Sequence, residues 1–200
     1  MNRRQILLGA AALMVPAVPA LAETRQVRYN FNQGVGGALK KKTKSGYRGK
    51  KTVSYSTTEA PGTIVVNTRQ RALYFVLNNG RAIRYGVGVG RQGFSWKGAA
   101  HIRRKAKWPA WYPPEEMRKR ELRENGRRLP EMMPGGIKNP LGARALYLFQ
   151  GQKDTLYRIH GTNDPSSIGY AQSSGCIRLL NNEIIDLFRR VNIGAKVVVV

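Results

Sequence analysis

The chain has 200 residues, 42% of them hydrophobic, which allows one packed domain and excludes a wholly disordered polymer. A formal charge of +24 restricts the partner classes to polyanions: nucleic acid, an anionic membrane face or an anionic cell-wall polymer. The single cysteine, Cys176, excludes an internal disulfide.

In chain order, Arg3 and Arg4 precede an apolar run over 6–18, and Ala20-Leu21-Ala22 supplies a small-x-small cleavage site. This pattern predicts an export signal over 1–22 and an exported product, in the periplasm or cell envelope. The apolar run is too short for a comfortable membrane span. The start Asn2-Arg3-Arg4-Gln5-Ile6-Leu7 also fits a twin-arginine leader, so the export route stays open between the two systems. Export argues against nucleic acid as a partner. It also sharpens the meaning of the lone thiol, which is either a small buried hydrophobe or a group kept for its reactivity.

Residues 23–60 read as a basic flexible linker. Lys40, Lys41, Lys42, Lys44, Arg48, Lys50 and Lys51 lie among Gly34, Gly36, Gly37, Gly46 and Gly49, and no acidic residue stands between Glu23 and Glu59. Such a stretch buries too little apolar surface to offset its ordering entropy. The expected folded domain covers 61–200, where the pattern changes to strands. Strands are predicted over 63–67 and, as a hairpin about Asn78-Asn79-Gly80, over 73–89. Gly86, Gly88 and Gly90 alternate with Val87 and Val89, which suits close approach of another backbone or a ligand. They open no helix, as a nucleotide-binding turn requires.

Trp108-Pro109 and Trp111-Tyr112-Pro113-Pro114 break regular structure, and residues 108–140 read as a Pro-rich, lid-like excursion from a β core. Within it Pro114 opens a short helix, Glu116 and Arg120 stand at i,i+4, and Asn125-Gly126 offers its stop. Strands follow over 143–149 and 155–160. A helix capped by Asn182 runs through Arg190, and an apolar strand over 196–200 suits a buried sheet position. The fold class is mainly β with one or two short helices.

The chemistry concentrates in Tyr157-Arg158-Ile159-His160-Gly161-Thr162-Asn163 and Ser173-Ser174-Gly175-Cys176-Ile177-Arg178-Leu179. His160 is one of two histidines and lies sixteen residues before the only cysteine. A thiol with an ordinary pKa is mostly protonated at neutral pH, and an imidazole can take that proton and return it to a leaving amine. The imidazole needs a partner on its other nitrogen, for which Asp164 or a backbone carbonyl such as that of Gly161 is available. Gly175 lets backbone N–H groups approach a developing oxyanion, and Arg178 can grip a carboxylate in two-pronged fashion. His101 lies in a basic stretch outside this constellation. No metal-ligand cluster is visible, and neither a metal nor an organic cofactor is expected.

These segments resemble the L,D-transpeptidase catalytic domain family (YkuD-like). That family has a His-Gly pair, a gap of similar length, then Ser-His-Gly-Cys, an aliphatic residue and Arg. The matching residues are His160 and Gly161, then Ser173, Ser174, Gly175, Cys176, Ile177 and Arg178. Ser174 stands where the family often has a second histidine. Residues 108–114 and Asn139-Pro140-Leu141-Gly142 also look like members of this family.

The resemblance implies a β-sandwich or barrel fold and a peptidoglycan cross-linking enzyme, with Cys176 as nucleophile and His160 as base. It places Gly161 beside the base, and Ser173, Ser174, Gly175 and Arg178 in oxyanion stabilisation or substrate binding. The expected partners are peptidoglycan stem peptides, an acceptor amine of either a stem or a protein, and the anionic envelope surface. A carboxypeptidase or amidase on the same scaffold and a non-catalytic basic wall-binding module are the rival readings.

Overall fold

The computed structural model describes residues 47, 49–90 and 96–200. The expected export signal and most of the expected linker lie outside the described residues. Eleven strands and two α-helices follow in order: β1 (Lys51–Ser54), β2 (Ile64–Asn67), β3 (Ala72–Val76), β4 (Arg81–Gly86), β5 (Val89–Gly90), β6 (Gly98–Lys107), α1 (Glu115–Asn125), β7 (Arg144–Gln150), β8 (Lys153–His160), β9 (Ala171–Ser173), β10 (Ile177–Arg178), α2 (Asn181–Arg190) and β11 (Lys196–Val199).

Nine strands form one sheet in the order β1-β4-β3-β2-β11-β6-β7-β8-β10, and β5 pairs with β9 in a second. The apolar strand β11 sits at the centre, parallel to β2 and antiparallel to β6, with Val197 and Val199 buried. Burial on that scale suits its nearly unbroken run of valines. Asn79 and Gly80 both take positive φ at the β3–β4 turn, as the Asn-Asn-Gly signal predicts. The expected 73–89 hairpin is shorter, because the chain leaves β4 after Gly86. Gly88 then exchanges two backbone hydrogen bonds with Arg178, at 2.9 and 2.8 Å. That contact joins the run after β4 to the far edge strand and closes the sheet around its main core, while Val65, Tyr74, Val76 and Ala82 form a smaller cluster under Val53 and Tyr55.

The core takes Ile64, Val66, Leu73, Phe75 and Tyr85 from one part of the sheet, and Ile102, Leu146, Leu148, Ile159 and Ile177 from the other. α2 adds Ile184 and Leu187. Each such side chain contributes about 1.5–3 kcal/mol on burial, which is enough to fix α2 in place. α1 buries no residue. Its excursion is held at the base by polar ties instead. The buried amide of Asn139 faces the carbonyls of Pro109, Met133 and Pro134 at 3.0–3.1 Å, and Trp111 bridges to Met133. Pro114 precedes α1 and a left-handed Gly126 ends it, as expected.

Two expectations are corrected. The linker reading fails for residues 51–54, which form β1 and pair with β4. The local sequence hides this, since the segment is anchored by distant partners: Tyr55 stacks on Tyr74 at 4.4 Å, and Glu59 pairs with Lys196 at 2.8 Å. The second concerns the helix cap. α2 begins at Asn181 and has no side-chain cap, so Asn182 lies inside the helix.

The segment before β1 also straps the outer turn of α2. Tyr47 donates to Glu183 Oε1 at 2.8 Å, and Lys50 pairs with Asp186 at 2.6 Å. Tyr85 donates to Asp186 Oδ2 at 2.6 Å. Glu183 is 2% exposed, and its Oε2 has no hydrogen-bond partner. Burial, the largest effect, raises its pKa from 4.5 to about 7. The folded state therefore keeps this proton longer than the unfolded chain does. The linked stability is fully present below pH 4.5 and is lost as pH rises through about 7. Its size is on the order of 3 kcal/mol. Glu183→Gln is expected to remove that slope. Urea unfolding between pH 4.5 and 8 checks this, and a wild-type-minus-variant difference that stays constant with pH would contradict it.

Candidate active site

β10 runs parallel to β8, with Ile177 beside Ile159 and Arg178 beside His160. Ile159 and Ile177 face the core. Strand alternation therefore turns His160 and Arg178 to the opposite face, and Cys176, one residue before Ile177, to that same side. Cys176 lies in the turn just before β10, two residues from Arg178, which pairs with His160. Arg178 and Arg158 act electrostatically on both groups, which places the four side chains in one neighbourhood.

His160 is buried, and its Nδ1 lies 2.6 Å from the Gly161 carbonyl. A carbonyl only accepts, so Nδ1 carries the proton and Nε2 keeps a lone pair. Of the two partners open from the sequence, the backbone carbonyl holds the ring. Asp164 instead turns to Ser166, accepting its hydroxyl at 2.5 Å and its N–H at 3.0 Å. Burial, followed by the charge of Arg178, pushes the imidazole down from 6.5 to about 3. The ring is neutral at physiological pH.

Cys176 is half-buried and free of disulfide bonding. Burial pushes its thiol up, opposed by the backbone N–H of Arg158 and then by the Arg158 and Arg178 charges. Sγ lies 4.0 Å from the Leu156 carbonyl and is not hydrogen-bonded to His160. Both shifts favour the neutral forms, a protonated thiol and an uncharged imidazole.

The loop that carries Gly161 is held by Asn181. Its Oδ1 accepts from the N–H groups of Ala143 (3.0 Å) and Thr162 (3.2 Å), and its Nδ2 donates to the Thr162 carbonyl at 2.9 Å. A side chain at Gly161 would overlap Asn181 Oδ1 and crowd Ala143 N at 3.0 Å. Asn181 was not singled out from the sequence. An Asn at a helix start reads as a cap, and its actual partners lie 19 and 38 residues away.

Ser173 is buried. Its hydroxyl donates to the Cys176 carbonyl at 2.5 Å and accepts from the Gly175 N–H at 3.3 Å. It braces the turn that presents the thiol. Gly175 has φ 105, a backbone conformation that side chains other than glycine resist. Ser174 receives Nη2 of Arg120 at 3.3 Å, so the α1 excursion reaches the thiol-bearing turn. Arg178 makes no ion pair among the described residues, although Cys176 and Asp164 lie within its electrostatic reach. Burial lowers its pKa, so the guanidinium is substantially desolvated. His101 is exposed on β6, paired with Phe149 and Lys196 and apart from this constellation.

Residues 61–199 match the family model described as the L,D-transpeptidase catalytic domain, YkuD. Over 140 residues the chain is 36% identical to the probable L,D-transpeptidase ErfK/SrfK of Salmonella typhimurium, covering 68% of this chain and 43% of that protein. The chain therefore spans less than half the length of that relative. Among solved structures, a probable carnitine operon oxidoreductase from Brucella melitensis shares 46% identity, with a TM-score of 0.51 over 76% of this chain and 92% of that one. An L,D-transpeptidase from Mycobacterium smegmatis, at 15% identity and a TM-score of 0.50 over 69% of this chain and 58% of that one, shares the fold. The family match spans β2 to β11 and both segments that carry His160 and Cys176, and the chain belongs to the L,D-transpeptidase catalytic domain family.

Proposed function

We propose that this protein is a peptidoglycan L,D-transpeptidase acting through a thioester on Cys176. The observation that carries the reading is the β8–β10 register, which sets His160 beside Arg178, next to the turn that carries the thiol, with the ring's Nδ1 held by the Gly161 carbonyl. Family membership supports the substrate class, peptidoglycan stem peptides.

In the proposed reaction Sγ attacks the carbonyl between the L-centre of diaminopimelate and the terminal D-alanine of a donor tetrapeptide stem. Nε2 of His160 takes the thiol proton as the S–C bond forms. Collapse of the tetrahedral adduct breaks the C–N bond, and His160 returns the proton to the departing D-alanine amine. An acceptor amine then attacks the thioester, gives its proton to Nε2, and releases Cys176, which takes that proton back. A stem amine yields a 3→3 cross-link, a protein amine attaches that protein to the wall, and water yields carboxypeptidase activity.

With the thiol pushed up and the imidazole pushed down, His160 serves as a general base during attack. Sγ must exchange its Leu156 contact for the Nε2 lone pair, and catalytic hydrogen bonds of this kind commonly tighten only with substrate bound. Arg178, desolvated and in no ion pair among the described residues, is suited to a substrate carboxylate. The predicted signal over 1–22 supports a periplasmic or envelope location, where a strongly basic surface meets an anionic wall. The Gly86–Gly90 run covers the end of β4 and β5, and Gly88 pairs with Arg178, so these glycines serve close approach of backbone.

Intact-protein mass spectrometry with a tetrapeptide donor tests the reading. The full chain is expected to gain an acyl adduct with release of D-alanine, and Cys176→Ala none. His160→Ala should slow turnover by roughly 10²–10⁴-fold. An adduct that persists in Cys176→Ala would sink the assignment.

A second outcome concerns the ring's support. Asn181→Ala removes three hydrogen bonds, two to Thr162 of the Gly161 loop and one to Ala143, and should cost about 1–3 kcal/mol of stability. Loosened burial should also move the acid limb of the pH–rate profile upward, toward the ordinary histidine value. Turnover measured between pH 4 and 8 checks this.

A further inference from the structure

β8 is not a regular strand. Between the pairs Phe149–Asp154 and Tyr147–Arg158, one residue of β7 faces three of β8, so the chain bulges at Thr155, Leu156 and Tyr157. Leu156 sits at φ 62, which L-residues other than glycine and asparagine rarely adopt, and its side chain is 71% exposed. Nothing apolar holds it there. Its carbonyl is nonetheless the group 4.0 Å from Cys176 Sγ, and the N–H that reaches the sulfur belongs to Arg158, two residues on.

One carboxylate closes the bulge. Asp154 Oδ1 accepts from the Leu156 N–H at 2.8 Å and from Arg158 Nη1 at 2.6 Å, and Oδ2 accepts from Arg158 Nη2 at 2.9 Å. Arg158 is further fixed by the Tyr157 carbonyl at 2.9 Å and by the ring of Tyr147, 4.3 Å from its guanidinium. Thr155 completes the seal by donating to the Leu148 carbonyl at 2.7 Å. Strained backbone that persists only because its surroundings over-determine it is a feature of functional sites.

We propose that Asp154 is a positioning residue for Cys176. Its carboxylate folds the 154–158 bulge and so holds the Leu156 carbonyl and the Arg158 N–H against Sγ, fixing the resting orientation of the thiol and part of its acidity. The proposal rests on Cys176 as the nucleophile. It adds a role for a side chain that need not touch substrate.

The test exploits opposite signs. A carboxylate that acts only through its negative charge disfavours thiolate, so its removal would lower the pH midpoint of thiol reactivity. A carboxylate that acts by positioning releases the Arg158 N–H and guanidinium when it is lost, so its removal raises the midpoint.

The full chain has one cysteine, so alkylation by iodoacetamide, followed by intact mass across pH 6–11, reads Cys176 alone. Asp154→Ala is expected to raise that midpoint and to slow D-alanine release at least roughly tenfold. Glycine holds positive φ without help, so Asp154→Ala combined with Leu156→Gly should recover most of the loss. A midpoint that falls or stays, or a double variant no better than Asp154→Ala, overturns the proposal.

Should Asp154→Ala fail to fold, Asp154→Asn carries the test. The amide oxygen keeps the Leu156 bond and holds the midpoint within a few tenths of wild type, whereas a residue acting through charge alone gives a drop. Cys176→Ala separates the two readings. Turnover surviving in it removes the nucleophile assignment itself, and its loss beside an unaffected Asp154→Ala removes only the positioning role.

Discussion

The site depends on two residues of parallel pairing between β8 and β10. Ile159 and Ile177 are drawn into the core, and alternation then leaves no choice about where His160, Arg178 and Cys176 go. A slip of one residue would bury the charged and reactive groups and expose the isoleucines. β10 is short, so its own pairing is a weak constraint. The bridge from Gly88 to Arg178 adds a second set of backbone bonds on its other side and locks the register from both edges.

On this frame the electrostatics favour neutrality at rest. The chain carries a large excess of positive charge, and two arginines lie near the ring, so a second cation there is doubly opposed. Desolvation works in the same direction on the imidazole and keeps the thiol protonated. In the proposed reaction the proton would therefore move as bonds to carbon are made, and the resting chain would present little thiolate to adventitious oxidants.

Much of this was legible in the sequence. The apolar run at β11, the Asn-Asn-Gly turn, the Pro-opened α1 and the two motif segments each announce themselves through local pattern. Gly161 was available as the ring's partner because it adjoins His160, and the structure selects its carbonyl over Asp164. What escaped reading was nonlocal. Asn181 looks like a helix cap until Ala143 and Thr162 arrive beside it. β1 has too few apolar residues to identify itself, and its register is supplied by β4 and by the ring of Tyr74. Asp154 reads as an ordinary turn carboxylate, since nothing in Lys153-Asp154-Thr155-Leu156 reveals that a leucine will take a left-handed backbone there. Ser173 was legible as a site residue, but its brace on the Cys176 carbonyl was not.

The excursion that carries α1 is tied by the amide of Asn139, by the Trp111–Met133 bridge and by Arg120 at Ser174, and its helix hides no side chain. Swinging it outward would therefore uncover little oily surface, and the heat-capacity signature of that motion should be small. The named ties join neutral acceptors rather than opposite charges, so dissolved electrolyte should loosen them little, and the excursion's hold rests on the directionality of a few hydrogen bonds.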